Sequence, residues 1–204
     1  MSAKGPVIEA DVVDLTQEAK GVAHIDGKTV FIAGALSGER VRLQIIKKKR
    51  AYDEARLIEV LQASAHRQEP ACPHFDLCGA CQFQHLAAPA QIELKQKILQ
   101  DNLQRIGKLE PQAWLAPIVG PAFGYRRRAR LGVKYVKQKD KILVGFREKG
   151  HGRFLADLDI CLTLANNLGQ QLPALGQLIM GLDCYQHIPQ IEVAFDIDAN
   201  GILS

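Results

Sequence analysis

The chain has 204 residues, 47% of them hydrophobic and 24% charged, with a formal net charge of +4. That is enough length and apolar content for one or two packed cores. No apolar run approaches the ~20 residues of a membrane span, and Met1-Ser-Ala-Lys-Gly-Pro lacks a signal-peptide core, so membrane and export classes are set aside and a cytoplasmic, thiol-reducing setting is expected.

Residues 7–62 read as a small all-β domain of short alternating runs separated by turn residues. The runs are Val7–Leu15, Lys20–Ile25, Lys28–Ala33, Glu39–Ile45 and Ala55–Val60. Asp26-Gly27 is a two-residue hairpin signal, since glycine accepts the positive φ such a turn needs. Val41, Leu43 and Ile45 share one face of their run, with Arg40, Arg42 and Gln44 on the other. Five short strands of this length predict a barrel like the OB-fold, an architecture used for nucleic acid. Lys47-Lys48-Lys49-Arg50 is placed at a loop tip, where Lys48 and Lys49 would contact phosphates or simply be solvated.

Residues 64–88 hold the densest chemistry. Cys72-Pro-His-Phe-Asp-Leu-Cys78-Gly-Ala-Cys81 carries three of the five cysteines, and Cys78-x2-Cys81 has metal-clip spacing, with Gly79 easing the backbone around the metal. Disulfides fit an odd-numbered, unexported cluster poorly. Zinc would want a second short pair of ligands, which is missing, though His85 could serve as a fourth ligand; His66 and His74 are also near. C-x5-C-x2-C with a remote fourth cysteine suits an iron–sulfur cluster, and Cys161 and Cys184 are the two remote candidates. The spacing leaves both metals open.

A helix follows, with Pro89 in its first turn and Gly107 as its expected C-cap. Ile92, Leu99, Leu103 and Ile106 recur at helical spacing and are expected in the core. After a Pro/Gly-rich connection, the segment from Tyr125 to Arg153 holds eleven Lys/Arg against two acids, a net +9, whereas the rest of the chain carries 15 basic and 20 acidic residues, a net −5. This asymmetry predicts a polyanionic partner, most simply nucleic acid. Read as a strand, the segment sets Arg126, Arg128, Arg130 and Lys134 on one face and Ala129, Leu131, Val133 and Tyr135 on the other. Four cations in register repel one another unless an anion lies across them, or unless water solvates the face. Lys137–Lys141 reads as a hairpin loop and Ile142–Arg147 as the return strand, where Phe146 would stack on a base and Arg147 bind a phosphate. Ala165–Leu182 reads as a helix interrupted near Pro173, and Gln190–Ile197 as a strand leading into an Asn200-Gly201 turn. A stop inside a hairpin suggests a fragment of a longer protein.

These residues resemble the bacterial 23S ribosomal RNA uracil-5 methyltransferases that use S-adenosylmethionine and carry an iron–sulfur cluster. Gly21-Val-Ala-His-Ile-Asp-Gly-Lys-Thr-Val-Phe31, Gly38-Glu39 and Tyr52–Arg56 are similar to that family's TRAM domain, an OB-like barrel. Cys72-x5-Cys78-x2-Cys81 resembles its cluster loop, and Tyr125–Arg130 with Gly145-Phe-Arg147 its central-domain motifs. The resemblance implies a 4Fe–4S cluster on Cys72, Cys78, Cys81 and Cys161. It also implies an antiparallel central sheet that helps to bind ribosomal RNA. The family's chemistry adds a cysteine thiolate to carbon 6 of a flipped uracil and methylates carbon 5. It uses a C-terminal Rossmann-like domain with a glycine-rich loop, a Ser-Cys-Asn-Pro nucleophile and a glutamate base. None of those motifs occurs in this sequence, and Cys184 in Leu-Asp-Cys-Tyr-Gln does not match the nucleophile.

The expected organisation is mainly β with α+β. A five-stranded TRAM barrel spans 1–63, the cysteine loop 64–88, and a central α+β domain 89–204, cut short and without the methyltransferase domain. The expected function is the RNA-binding and iron–sulfur portion of an S-adenosylmethionine-dependent 23S rRNA (uracil-C5)-methyltransferase, monomeric and inactive by itself. The alternatives are a transfer RNA uracil-C5 methyltransferase, a stand-alone metal-stabilised RNA-binding module, and a redox iron–sulfur protein.

Overall fold

The computed structural model describes residues 5–195, apart from the side chains of His151 and Asn166. The chain separates into two units, residues 1–69 with 82–116 and residues 70–81 with 117–204. Among the described residues, no helix is long and apolar enough to cross a membrane.

The first unit contains β1 (Val7–Asp11), β2 (Asp14–Leu15), β3 (Lys20–Ile25), β4 (Lys28–Ala33), β5 (Arg40–Lys48) and β6 (Tyr52–Gln62). They form one sheet in the order β1-β5-β6-β4-β3-β2. Every pairing is antiparallel except that of β4 with β6. The single run expected over Val7–Leu15 divides into two strands, so the sheet has six. At the break, the Val12 N–H donates to Glu39 O and the Val13 N–H to Val22 O, passing the chain from one end of the sheet to the other. Asp26 and Gly27 take φ of 50° and 75°, the hairpin turn expected of them. Val41, Leu43 and Ile45 point inward with Val30, Ile32 and Ala55 to form the core. The basic run is placed differently from expectation: Lys47 and Lys48 lie within β5, and the turn begins at Lys49.

Glu39 is the most deeply buried charge among the described residues of this unit, 1% exposed. Its carboxylate accepts from the Leu36 N–H at 2.8 Å, the Ser64 N–H at 3.3 Å and Arg67 Nη2 at 2.9 Å. Burial pushes its pKa up, but the Arg67 guanidinium and the two amides outweigh burial and hold it below the ordinary value of 4.5. A depressed carboxylate pKa stabilises the fold fully above that value, and the contribution is lost as pH falls through the folded pKa. Glu39→Ala would strand Arg67, with an expected cost of roughly 3 kcal/mol, at the low end for a buried pair because Arg67 keeps some contact with water. Urea unfolding at pH 7 measures it, and the deficit should shrink when parent and variant are compared below pH 4.5.

Helix α1 (Ala88–Asn102) opens with Pro89 in its first turn, as expected, and runs into a wider π turn over Leu103–Gly107. The terminating left-handed residue is Lys108 (φ 52°) rather than Gly107. The predicted core stripe is not buried: Leu99 is 51% and Ile106 79% exposed. The inward stripe is Ala90 and Leu94, which pack with Leu36 and Leu86, while Lys97 pairs with Asp14 at 2.8 Å. Positions 90, 94 and 97 recur at the same helical spacing as the predicted set, rotated around the axis.

The second unit contains β7 (Arg128–Val136), β8 (Lys141–Gly145), β9 (Arg147–Glu148), β10 (His151–Leu155), α2 (Leu172–Met180) and β11 (Gln190–Ala194). An antiparallel sheet runs β11-β7-β8, and β9 pairs with β10. Leu131 and Val133 of β7 meet Ile142 and Val144 of β8 under Leu172 and Ile179 of α2. A Cβ at Gly176 would stand 2.9 Å from Ile142 O, so glycine lets α2 lie directly on β8. The helix expected over 165–182 resolves into a 3-10 turn, Asn166–Gln171, followed by α2, and Pro173 begins α2 rather than interrupting it. There its missing N–H has no intrahelical acceptor to lose. Ile197 and the Asn200-Gly201 turn lie outside the described residues.

Candidate cysteine centre and nucleic-acid interface

The cysteine segment is built as tight turns laid against a strand. The Phe75 N–H donates to Cys72 O at 3.1 Å and the Cys78 N–H to His74 O at 2.7 Å. Cys78 bridges Glu148, the Gly79 N–H donates to Arg147 O at 2.9 Å, and the Lys149 N–H donates to Leu77 O at 2.8 Å. A Cβ at Gly79 would stand 3.1 Å from Arg147 O, so this glycine serves the close approach to β9. On the other side, the Asp159 N–H donates to His74 Nε2 at 3.1 Å, which ties the segment to the stretch leading into Cys161. The Cys161 N–H donates to Gly169 O, and a Cβ at Gly169 would lie 2.0 Å from Cys161 O. The Cys161 thiol meets Thr163 Oγ1 at 3.3 Å.

All four predicted ligands thus lie in the second unit, with Cys78 and Cys161 in its core. Burial pushes the Cys72 and Cys78 thiols up, and Cys81 and Cys161 push both the same way. Among the described residues, no three His, Cys, Asp or Glu side chains gather tightly enough to hold a metal ion. Cys184 is exposed beyond the end of α2, and His66 and His85 belong to the first unit. Two of the four predicted ligands, Cys78 and Cys161, stand where a glycine, Gly79 and Gly169 respectively, permits close backbone contact.

The strand β7 sorts its faces as expected. Leu131 and Val133 are buried, and Arg128, Arg130 and Lys134 are exposed. Arg126 precedes the strand and bridges Leu164. The cations are not equally available. Arg130 pairs across the sheet with Glu192 of β11 at 2.7 Å. Arg126 lies 5.4 Å over the Phe146 ring, and that ring is half-buried against the core. Arg147 donates to Gly152 O. Lys139 and Lys141 share Asp157 at 2.8 and 2.6 Å. Arg128 and Lys134 make no ion pair among the described residues. In the first unit, Lys49 pairs with Glu54 at 2.7 Å and lies 4.6 Å from the Tyr52 ring, whereas Lys48 is exposed at the end of β5. Glu192 and Asp157 were missed because they lie outside the basic segment. Strand pairing alone brings Glu192 opposite Arg130.

The TRAM domain family matches residues 2–58, so the six-stranded sheet of the first unit belongs to a TRAM domain. Over nearly its whole length the sequence is similar to curated 23S rRNA uracil-C5 methyltransferases. It is 48% identical over 196 residues to the 23S rRNA (uracil(1939)-C(5))-methyltransferase RlmD of Nitrosococcus oceani, covering 96% of this chain and 44% of that protein. The Alkalilimnicola ehrlichii protein of the same name is 46% identical, covering 96% and 43%. That of Xanthomonas euvesicatoria pv. vesicatoria is 48% identical, covering 92% and 43%. This chain thus spans less than half the length of these curated relatives. Among solved structures, the Pyrococcus abyssi tRNA (uracil-54, C5)-methyltransferase in complex with S-adenosyl-L-homocysteine matches with a TM-score of 0.51 and 22% identity, over 83% of this chain and 35% of that one. The second likeness concerns the fold.

Proposed function

We propose that this chain is the RNA-binding and iron–sulfur portion of an S-adenosylmethionine-dependent 23S rRNA (uracil-C5)-methyltransferase. The observation that carries the reading is the near-half identity, over almost the whole chain, to proteins that bear that name. Methyl transfer and cofactor binding belong to the whole protein. The residues in hand supply a barrel and a basic sheet that bind ribosomal RNA, in the cytoplasm and as a monomer. Arg128, Lys134 and Lys48 are exposed to meet phosphates; Arg126, Arg130, Arg147 and Lys49 contribute once released from their internal partners; and Phe146 offers the edge of a half-buried ring.

A 4Fe–4S cluster would be held by Cys72, Cys78, Cys81 and Cys161. Thiolate is the donor such clusters take, and a cubane spreads its four ligands more widely than one tetrahedral ion does. When bound, the cluster supplies a cross-link with electron-accepting capacity. The protein's own part is to dock the cysteine segment on β9 and to hold Cys161 against Gly169. Because burial keeps the Cys72 and Cys78 thiols protonated, loading releases protons and is favoured by rising pH.

The test is deletion of the gene, followed by mass-spectrometric mapping of methylated uracils. Loss of one C5-methyluracil from 23S rRNA is expected. Loss from transfer RNA instead would favour the alternative substrate, and no loss from either would leave a binding module. The purified chain alone, given labelled S-adenosylmethionine and 23S rRNA, is expected to bind the RNA without labelling it.

A further inference from the structure

We propose that Lys149 is a positioning residue of the cysteine segment: its ammonium, seated on the Phe75 ring within the Cys72–Cys81 turns, supplies the positive charge that balances an anionic iron–sulfur group. The inference rests on the iron–sulfur reading above and adds to it a residue outside the ligand set.

The backbone fixes the starting point. The Lys149 N–H donates to Leu77 O at 2.8 Å, so the side chain leaves β9 directly beside the cysteine turn. Its Nζ lies 3.8 Å from the centre of the Phe75 ring, inside the range over which a ring face attracts a cation. Among the described residues it makes no ion pair with a carboxylate. Although Lys149 as a whole keeps more than a third of its surface in water, its ammonium is locally desolvated, which pulls its pKa down. The groups that pull it back are Asp76, Cys78 and Cys81. Two of the sulfurs proposed as ligands thus stand, with Asp76, within electrostatic reach of a partly dehydrated cation. A purely structural role over Phe75 would be served equally well by an uncharged side chain such as Met.

The charge acquires a purpose once four thiolates surround a cluster. Four thiolates outweigh the positive charge of the cluster core, so the whole group is anionic, and one-electron reduction makes it more so. A fixed cation on the cysteine turns favours the anionic group and favours its reduced form most, which raises the reduction potential; local charge is one of the levers that set such potentials. In the reduction itself one electron passes to the cluster from the sulfur dioxide radical anion formed when dithionite's S–S bond cleaves, and no bond at the cluster is made or broken.

The experiment uses the full chain purified anaerobically, with iron and sulfide assayed and the potential measured by dithionite titration followed by electron paramagnetic resonance. Lys149→Met keeps the backbone bond to Leu77 and removes the charge. It is expected to shift the reduction equilibrium about tenfold toward the oxidised form, about 59 mV lower for one electron. Lys149→Arg, which keeps a cation on the ring, should titrate with the parent. Equal potentials in parent and Lys149→Met overturn the proposal, as do equal shifts in the Met and Arg variants, which would report packing. If Lys149→Met fails to retain its cluster, retention by Lys149→Arg supports the charge argument, and loss in both overturns it. A parent without iron and sulfide removes the iron–sulfur reading itself, and the Lys149 proposal with it.

Discussion

Cys161→Ser, purified anaerobically, is expected to lose most of its iron and sulfide, while Cys184→Ser should match the parent. Both cysteines stand far from the Cys72–Cys81 segment in sequence, so sequence distance does not separate them. Their surroundings do. Cys161 is buried in the core of the second unit and is pinned by Gly169, whose missing Cβ lets the two backbones touch. Its sulfur acts on both Cys72 and Cys78. Cys184 is exposed. Serine at position 161 can still exchange a hydrogen bond with Thr163, as the thiol does at 3.3 Å, so the variant should fold. Its oxygen is a harder donor than thiolate and a poor ligand for an iron–sulfur core. Iron loss in a folded Cys161→Ser, verified by circular dichroism, therefore reports ligation. Retention there with loss in Cys184→Ser would reverse the assignment. Zinc without sulfide in the parent would end the cluster reading.

Local pattern carried much of this architecture, and tertiary pairing decided the rest. Asp26-Gly27 specified its hairpin because two positive-φ residues leave few other choices, and the alternation over Val41–Ile45 specified which face of β5 is buried. The Cys78-x2-Cys81 spacing confines two thiols to one turn for a similar reason, since a short loop cannot send them far apart. The errors fall where one pattern admits two answers. On α1, residues 92, 99, 103 and 106 and residues 90, 94 and 97 both satisfy helical spacing, and small Ala90 gave no hint that it would face inward. The break at Val12–Val13 is set by Glu39 O and Val22 O, acceptors far along the chain. Charge was the least legible feature. Counting residues 125–153 alone gave a strongly positive segment, yet Asp157, just outside it, and Glu192, far along the chain, neutralise part of that charge once the strands pair.

That partial neutralisation sharpens the second large effect. Replacing Arg126, Arg128 and Arg130 together by Gln is expected to weaken binding to 23S rRNA fragments and to flatten the salt dependence. Each phosphate contact contributes roughly −0.7 to the slope of log K against log salt for a single strand, so three lost contacts should remove about 2. The three are not equivalent. Arg128 is exposed and makes no ion pair among the described residues, so Arg128→Gln alone should remove a full contact. Arg130 must first leave Glu192, with which it pairs at an exposed site where such pairs contribute about 0–1 kcal/mol. Glu192→Gln should therefore strengthen RNA binding, because it frees Arg130 and takes a negative charge off the sheet. Arg126 rests on Phe146, so its replacement uncovers a half-buried ring, and Phe146→Leu must be read beside a stability measurement. Filter-binding or fluorescence titration across a salt series, on variants shown to be folded, gives the slopes. An unchanged slope in the triple variant would return this face to ordinary solvated charge. Weaker binding by Glu192→Gln would mean that the Arg130–Glu192 pair, rather than the free cation, is what the RNA meets.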